Sequence, residues 1–578
     1  MIPTLDQLKT NTKTLKIAIL GGGPSALFIY KRLVESGRHT IGIDIYEKGD
    51  RLGAGMPYSR AGANDEHITN VSGNEIPDIV TPVAEWIRSV SKDTLDKFKI
   101  DPAEFNEYKT LPRLLFGQYL ADQFKLLQNE AKESGILTTV HYNTTVTDVT
   151  DSPEDEKVNV MLNGEHRAEY DRVIICTGHL WPKKHEGKIP GYFDSPYPPS
   201  KLAFKADHAI AVRGSSLTAI DAIRTLGRYN GTFGKDQHGR YTYQADPATP
   251  GFRIVMYSRN GLLPALRFHL EDSHLGKDTI LSPEEVARLR ALNEGFLPLD
   301  DVFDRNFKAG IRINDPAYYD EIKDLSIEGF VTNVMDLREQ VDAFRLLAAE
   351  YTEAERSIKR RESIYWKEML GVLSFAMNYP AKYFSAEDML RLKRHLMPLI
   401  SVVIAYVPQS SAAEMLAMHR AGHLDIVAVG DDSEVEPRDT GGIIYHYTDQ
   451  QGERHHDSYQ GFVDCIGQPH LSFEELPFKG LVEGKTVSRA RIYFRNQQRG
   501  EEERKQNEKV GQDREGRYFL TVPGITINDS FQAVDEYNAL NERIYIMAVP
   551  FIGGYNPDYS GLDFGEAASA AVVKALLA

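Results

Sequence analysis

Cysteine is almost missing from this 578-residue chain: only Cys176 and Cys465 occur. Two thiols cannot supply a disulfide scaffold, a multi-cysteine zinc or iron–sulfur centre, or a redox-active CxxC pair, and their scarcity fits a reducing compartment. Basic charge is also in short supply. Lys+Arg 67 against Asp+Glu 83 leaves a formal net charge of −16, which argues against duplex nucleic acid or an anionic membrane as the main partner. Long apolar runs are lacking. The longest, around Met397 to Val407, has Pro398 near its start and Pro408 after it, and falls far short of the roughly 20 residues that span a bilayer. Leu15–Leu20 is apolar but runs into glycines rather than a small-residue cleavage site, so no signal peptide is expected and the reading is a cytoplasmic protein. HExxH, P-loop and GxSxG motifs are absent. His419 and His423 read as helix-end residues and His455-His456-Asp457 as a polar turn, so no metal is expected. What is present, hydrophobic 42% and charged 26%, is the composition of a globular protein with several cores.

The most informative stretch is 15–47. Leu15–Leu20 reads as a buried parallel strand, and Gly21-Gly22-Gly23-Pro24-Ser25-Ala26 matches G-x-G-x-x-A. A helix with Leu27, Tyr30, Leu33 and Val34 on one face follows, then a strand Ile41–Tyr46 ending at Glu47. Each part has a physical job in holding a dinucleotide. Gly21 permits the tight turn, Gly23 lets the backbone approach a pyrophosphate, and Ala26 allows close helix–strand packing. The helix N-terminus presents free N–H groups to the phosphates, and Glu47 accepts ribose hydroxyls.

A second, degraded copy begins at Ala209–Arg213. Gly214-Ser215-Ser216-Leu217-Thr218-Ala219 is G-x-S-x-x-A, and the next strand, Phe252–Tyr257, ends in Ser258-Arg259. An arginine where the first copy has Glu47 suits the 2′-phosphate of NADPH. The polar stretch Tyr229 to Gly251 reads as a surface hairpin or loop between the two strands. Leu416–His423 with Leu424–Val429, and Gly461–Gly467, read as the returning helix and strands of this domain.

Several further segments carry a resemblance. Glu47 is followed by Lys48-Gly49-Asp50-Arg51-Leu52-Gly53-Ala54-Gly55-Met56-Pro57-Tyr58-Ser59. Leu111-Pro112-Arg113, Thr144-Thr145-Val146 and Asp171 through Thr177-Gly178 come next. Ile544–Val549 and Asn556 through Gly561-Leu562-Asp563-Phe564-Gly565 lead into an alanine-rich helix, Glu566 to Leu577. In these pieces and their order the chain resembles the FAD-NAD(P)-binding protein family, related to flavin-dependent N-hydroxylating and class B (Baeyer–Villiger) monooxygenases. The resemblance implies FAD at the first turn, contacted by Gly21, Gly23, Pro24, Ser25, Ala26, Glu47, Lys48, Arg51, Met56, Arg113, Val146, Thr177, Gly178, Gly561 and Leu562. Asp558 or Asp563 stands where such folds carry an acid–glycine pair. Tyr58, His67 and Asn70 are the candidate flavin-pocket residues. NADPH or NADH is implied at Gly214, Ser215, Ser216 and Arg259. The Baeyer–Villiger fingerprint F-x-G-x-x-x-H-x-x-x-W-P is absent; Pro190–Pro198 occupies the corresponding linker.

The expected architecture is α/β with two Rossmann-like domains, both discontinuous. Residues 1–200 and 470–578 form the FAD-binding domain, 201–269 and 411–469 the NAD(P)-binding domain. Residues 270–410 form a helical insertion or lid. It opens on the capping box Ser282-Pro283-Glu284-Glu285 and is read either as a wall of the substrate pocket or as a stabilising or homo-oligomer-forming appendage. Residues 499–517, charged and poor in apolar groups, read as a solvated hairpin tip or mobile loop. The family analogy implies an NAD(P)H-using monooxygenase that takes molecular oxygen and oxygenates a small polar molecule at nitrogen, sulfur or activated carbon through a flavin hydroperoxide. The alternatives are an FAD oxidase or reductase without oxygen insertion, and a flavin-bound sensor with a vestigial NAD(P) domain.

Overall fold

The apolar runs that punctuate the sequence become the strands of two largely parallel sheets. In chain order these are β1 (Leu15–Leu20), β2 (Ile41–Tyr46), β3 (Leu137–His141), β4 (Arg172–Ile175), β5 (Tyr192–Phe193), β6 (Ala209–Arg213), β7 (Arg253–Ser258), β8 (Leu424–Ala428), β9 (Gly461–Asp464), β10 (Gln532–Val534) and β11 (Leu540–Ile546). The computed structural model describes residues 14–181, 183–271, 280–468, 470–557 and 561–578. The first sheet has the order β10-β11-β4-β1-β2-β3 and the second β5-β9-β6-β7-β8. Only β10 runs antiparallel to its neighbour. Ile17, Ala18, Ile19 and Leu20 are all fully buried, because helices cover both faces of such a sheet.

The helices that matter for the site are α1 (Pro24–Glu35), α2 (Arg113–Glu133), α3 (Leu217–Tyr229), α4 (Ala343–Arg360), α5 (Gln409–Arg420) and α6 (Gly561–Leu576). Helix α6 packs on α1, where Gly565 leaves room for the Phe28 ring: a Cβ there would lie 3.0 Å from it. The segment after α3 is the two-stranded hairpin Gly231–Lys235/Tyr241–Ala245. Smaller antiparallel sheets decorate the domains, among them Arg489–Tyr493, Val510–Gln512 and Tyr518–Ile525.

The insertion is helical from Pro283 to Val403. Its capping box forms as read: Glu285 N–H donates to Ser282 Oγ at 3.2 Å, and Ser282 N–H to Glu285 Oε2 at 2.9 Å. It does not rest on the surface as a separate flap. Phe303, Phe307, Leu370 and Leu396 share one apolar cluster with Ile19, Phe116 and Ile544 of the first domain. Phe344 and Leu347 of α4 join Ile223 and Met415 in the core of the second. The insertion therefore bridges both domains. Two segments add to the expectation or depart from it. Residues 499–517 contain most of a helix, Gln497–Arg504, and then the tip of a hairpin in which Val510–Gln512 pairs antiparallel with the start of Tyr518–Ile525, the hairpin alternative read for them. The C-terminal helix begins at Gly561 rather than Glu566. No helix among the described residues is long and apolar enough to cross a membrane.

Candidate functional site

The first turn is held open by backbone geometry. Gly21 has φ +98°, and a Cβ there would lie 2.7 Å from the carbonyl oxygen of Cys176, so only glycine fits. Its N–H donates to Tyr46 O at 2.8 Å, closing the turn on β2. Gly23 is the N-cap of α1, with Pro24 at its first position and no side chain capping the end. The N–H groups of Ser25 and Ala26 are left for an anion. Gly55 lies opposite: a Cβ on Gly23 would be 3.4 Å from the Gly55 Cα. The two glycines form a cradle that side chains would fill.

Glu47 secures that cradle. Its carboxylate accepts the Gly22 N–H at 2.8 Å and the Gly49 N–H at 2.7 Å, tying the glycine turn to the loop that carries Gly53 and Gly55. Each oxygen retains a second lone pair for a ribose hydroxyl. Lys48 and Arg51 are exposed, and Met56 and Tyr58 half-buried. The Tyr58 ring packs edge-on against Phe116 at 4.9 Å. Val146 begins the strand Val146–Ser152, and Thr177 and Gly178 continue from β4. Nothing comes within 4 Å of a Cβ built on Gly178. Gly561, Leu562 and Asp563 form the first turn of α6; Asp558 lies outside the described residues.

The second turn repeats the first. Gly214 has φ +109°, a Cβ there would meet the carbonyl oxygen of Cys465 at 2.6 Å, and its N–H donates to Tyr257 O at 2.7 Å. Ser216 caps α3 through its backbone alone, while the Ser215 hydroxyl donates to Leu262 O at 2.8 Å. Arg259 stands just past the end of β7, exposed, with the exposed Asp431 at 3.7 Å as its one ion-pair partner among the described residues. Such a surface pair is worth little, leaving the guanidinium available to a phosphate. Both cysteines thus occupy one structural role, a backbone carbonyl closing on a glycine. Their thiols are buried, and burial pushes both well above the usual thiol range.

Three of the candidates for the flavin site make contacts that run between domains. Arg113, at the start of α2, donates from Nη1 to Asp221 Oδ2 at 2.5 Å and from Nε to Ile68 O at 3.1 Å. Asp221, on α3 of the other domain, also accepts the Tyr197 hydroxyl at 2.7 Å. Burial raises the Asp221 carboxyl, but Arg113 and its other partners outweigh that and hold it below the usual range. His67 is fully buried. Its Nδ1 accepts the Asn64 N–H at 3.1 Å, so Nε2 carries the proton and points at Thr225 Oγ1, 3.1 Å away. Burial keeps this imidazole below its ordinary pKa. Asn70 Nδ2 donates to Ala405 O at 3.5 Å, and its carbonyl accepts from Arg267, which also pairs with the buried Glu75. These residues pin the two domains together. They were not legible as pins because their partners lie far off in sequence.

Two polar residues that the sequence did not single out lie just past strand ends of the two sheets. His179 follows β4, and Gln468 follows β9. Nδ1 of His179 and both amide atoms of Gln468 are buried without a hydrogen-bond partner among the described residues. Burial pushes His179 down to about 4. Each of these strands, one in each sheet, runs into a buried orphaned group, and the ends of parallel strands are where such sheets bind ligands. With the glycine cradle, they fit FAD and a nicotinamide nucleotide.

Fold and turns define an FAD- and NAD(P)-binding protein, and sequence comparison agrees. Residues 18–180 match the FAD-NAD(P)-binding family and residues 282–404 the YdhS-like middle domain. The chain is similar to YdhS of Escherichia coli (strain K12), 26% identical over 573 residues covering 97% of each protein. Similar solved structures include L-lysine 6-monooxygenase from Pseudomonas syringae (9% identity, 97% of this chain and 98% of that one, TM-score 0.44). Another is the bacillithiol disulfide reductase of Staphylococcus aureus (11%, 97% and 98%, TM-score 0.41).

Proposed function

We propose that this chain is an FAD-dependent, NAD(P)H-using oxidoreductase, and within that class a monooxygenase acting on a small polar molecule. One observation carries the reading: two glycine turns of matching geometry belong to two domains pinned together through Arg113, Asp221 and Tyr197, and neither thiol is placed to relay electrons. FAD, when bound, supplies the two-electron chemistry. The chain's residues bind and orient. The α1 N-terminus and the Gly23–Gly55 cradle take the pyrophosphate, Glu47 the ribose, and the α3 N-terminus with Arg259 the nicotinamide nucleotide. Arg113, Asp221 and Tyr197 fix the distance between the two sites. His179, neutral at pH 7, holds its proton on one ring nitrogen and leaves the other for a ligand. With Cys176 and Cys465 buried, neither thiol of this chain would serve as an electron relay.

Purified protein should be yellow and bleach when NADPH is added without oxygen. Admitting labelled oxygen with a panel of amines, amino acids, thiols and purines should transfer label into one of them. Label appearing only in peroxide or water identifies the oxidase alternative; a colourless protein that cannot be loaded with FAD refutes the reading.

A further inference from the structure

A nicotinamide nucleotide has two halves, and Arg259 serves only the adenosine half. Strands β7 and β9 flank β6 on opposite sides, with β8 continuing beyond β7. Strand order therefore reverses between β6 and β9, and ligands of such sheets sit outside the strand ends at that reversal. A nucleotide with its adenosine phosphate at β7 and its pyrophosphate at the start of α3 carries its nicotinamide to the end of β9. The chain there reads Cys465-Ile466-Gly467-Gln468. It borders the turn directly: the Cys465 carbonyl oxygen lies 2.6 Å, and the Ile466 nitrogen 3.3 Å, from a Cβ built on Gly214.

The segment suits that half. Ile466 is 62% exposed, an apolar surface at a strand end. Gly467 has φ +90°, and nothing lies within 4 Å of a Cβ built on it, so the space beside it is open. Oε1 and Nε2 of Gln468 are both buried without a hydrogen-bond partner among the described residues. An amide with neither bond made is costly to hold inside a protein. The first copy repeats the arrangement. Cys176 closes on Gly21 as Cys465 closes on Gly214, and Gly178, like Gly467, has open space beside it. His179, with its orphaned Nδ1, then stands where the second copy has Gln468. One position in each copy thus keeps a polar group in reserve, and the residue differs as the two cofactors differ. We propose that Gln468 recognises the carboxamide of the nicotinamide ring, donating from Nε2 to its carbonyl and accepting its N–H on Oε1, with Ile466 against the ring. This rests on the reading of the second turn as a nicotinamide nucleotide site. A carboxamide is matched, donor to acceptor and acceptor to donor, by a second amide. Rotation about the side-chain torsions brings the amide toward the open space beside Gly467, and it breaks no hydrogen bond because none is made.

The test is calorimetric titration of the FAD-loaded protein with three ligands. These are NADP+, its 3-acetylpyridine analogue, which keeps the carbonyl but has no N–H, and adenosine 2′,5′-bisphosphate, which lacks the nicotinamide half. Wild type should prefer NADP+ to the analogue by about tenfold, the worth of one buried hydrogen bond. Gln468→Met should bring the two within about twofold of each other and leave bisphosphate binding unchanged. Gln468→Glu, which keeps an acceptor and loses the donor, should weaken both nucleotides while retaining the preference. Ligand-free Gln468→Met should melt no lower than wild type, because an apolar side chain replaces an unsatisfied amide. No preference in wild type, an undiminished preference in Gln468→Met, or a lower melting temperature of that variant overturns the proposal. Bisphosphate binding in the same protein then leaves the nucleotide-site reading standing. A wild type that binds neither NADP+ nor the bisphosphate refutes that reading, and the proposal with it.

Discussion

Replacing Asp221 by alanine should unpin the two dinucleotide domains. The carboxylate accepts from Arg113 at 2.5 Å and from Tyr197 at 2.7 Å and is only 4% exposed, so its loss strands a guanidinium and a hydroxyl inside the protein. Breaking a buried pair by removing one partner costs about 3–5 kcal/mol. Arg113 keeps its bond to Ile68 O, so the lower figure, about 3 kcal/mol, is the better expectation. That corresponds to roughly two decades in a local opening equilibrium. Hydrogen exchange read by mass spectrometry should show this gain in peptides covering 66–72 and 217–229, and not in α6. Arg113→Met with Asp221→Leu should restore much of the protection, because an apolar pair of similar volume often replaces a buried ion pair without loss. Linkage adds a sign. The Asp221 carboxyl is held below its unfolded value, so its contribution is full above about pH 4 and is lost as pH falls through the folded value. Wild type should loosen at this seam in acid, and Asp221→Asn should lack that component. Unchanged exchange at 217–229 in Asp221→Ala, or an equal rise everywhere, would refute the idea that this cluster holds the domains.

The two glycine turns should fail separately. Gly21→Ala forces a Cβ to 2.7 Å from a backbone carbonyl and should abolish FAD retention, seen as loss of yellow colour; Gly214→Ala, at 2.6 Å, should spare the colour and abolish bleaching by NADPH. Arg259→Ala should weaken NADPH binding by about tenfold while leaving NADH unaffected, the loss of one charge-assisted hydrogen bond. Cys176 and Cys465, 6% and 2% exposed with thiols pushed up by burial, should resist an aromatic disulfide reagent at pH 8 in the native protein and react only after denaturation.

Much of the scaffold is legible in the sequence because parallel strands buried on both faces are continuous apolar runs. Leu15–Leu20, Ile41–Tyr46 and Ala209–Arg213 appear in the structure with the bounds read for them. The glycine turns follow because their backbone requirement is local. The helix Gln497–Arg504 is hidden by its lack of apolar residues, although Asn496, whose Oδ1 accepts the Gln498 and Arg499 N–H groups, is a signal that marks its start. Arg113 is read from the sequence only as a cofactor contact, and the fold adds Asp221 to it across 108 residues. Long-range charge pairing leaves no periodic trace in a chain.

Strand β11 pairs with β4 along Ile544–Ile546, yet the whole second domain and the bridging insertion lie between them in sequence. While the chain is being synthesised, β4 therefore stands as an unprotected edge, its backbone N–H and C=O groups bare, until almost the last residues emerge. Such an edge invites pairing with other chains. Slow translation or low temperature should raise the yield of cofactor-competent protein, and losing the segment from β11 onward should strand the nascent sheet in an aggregation-prone form.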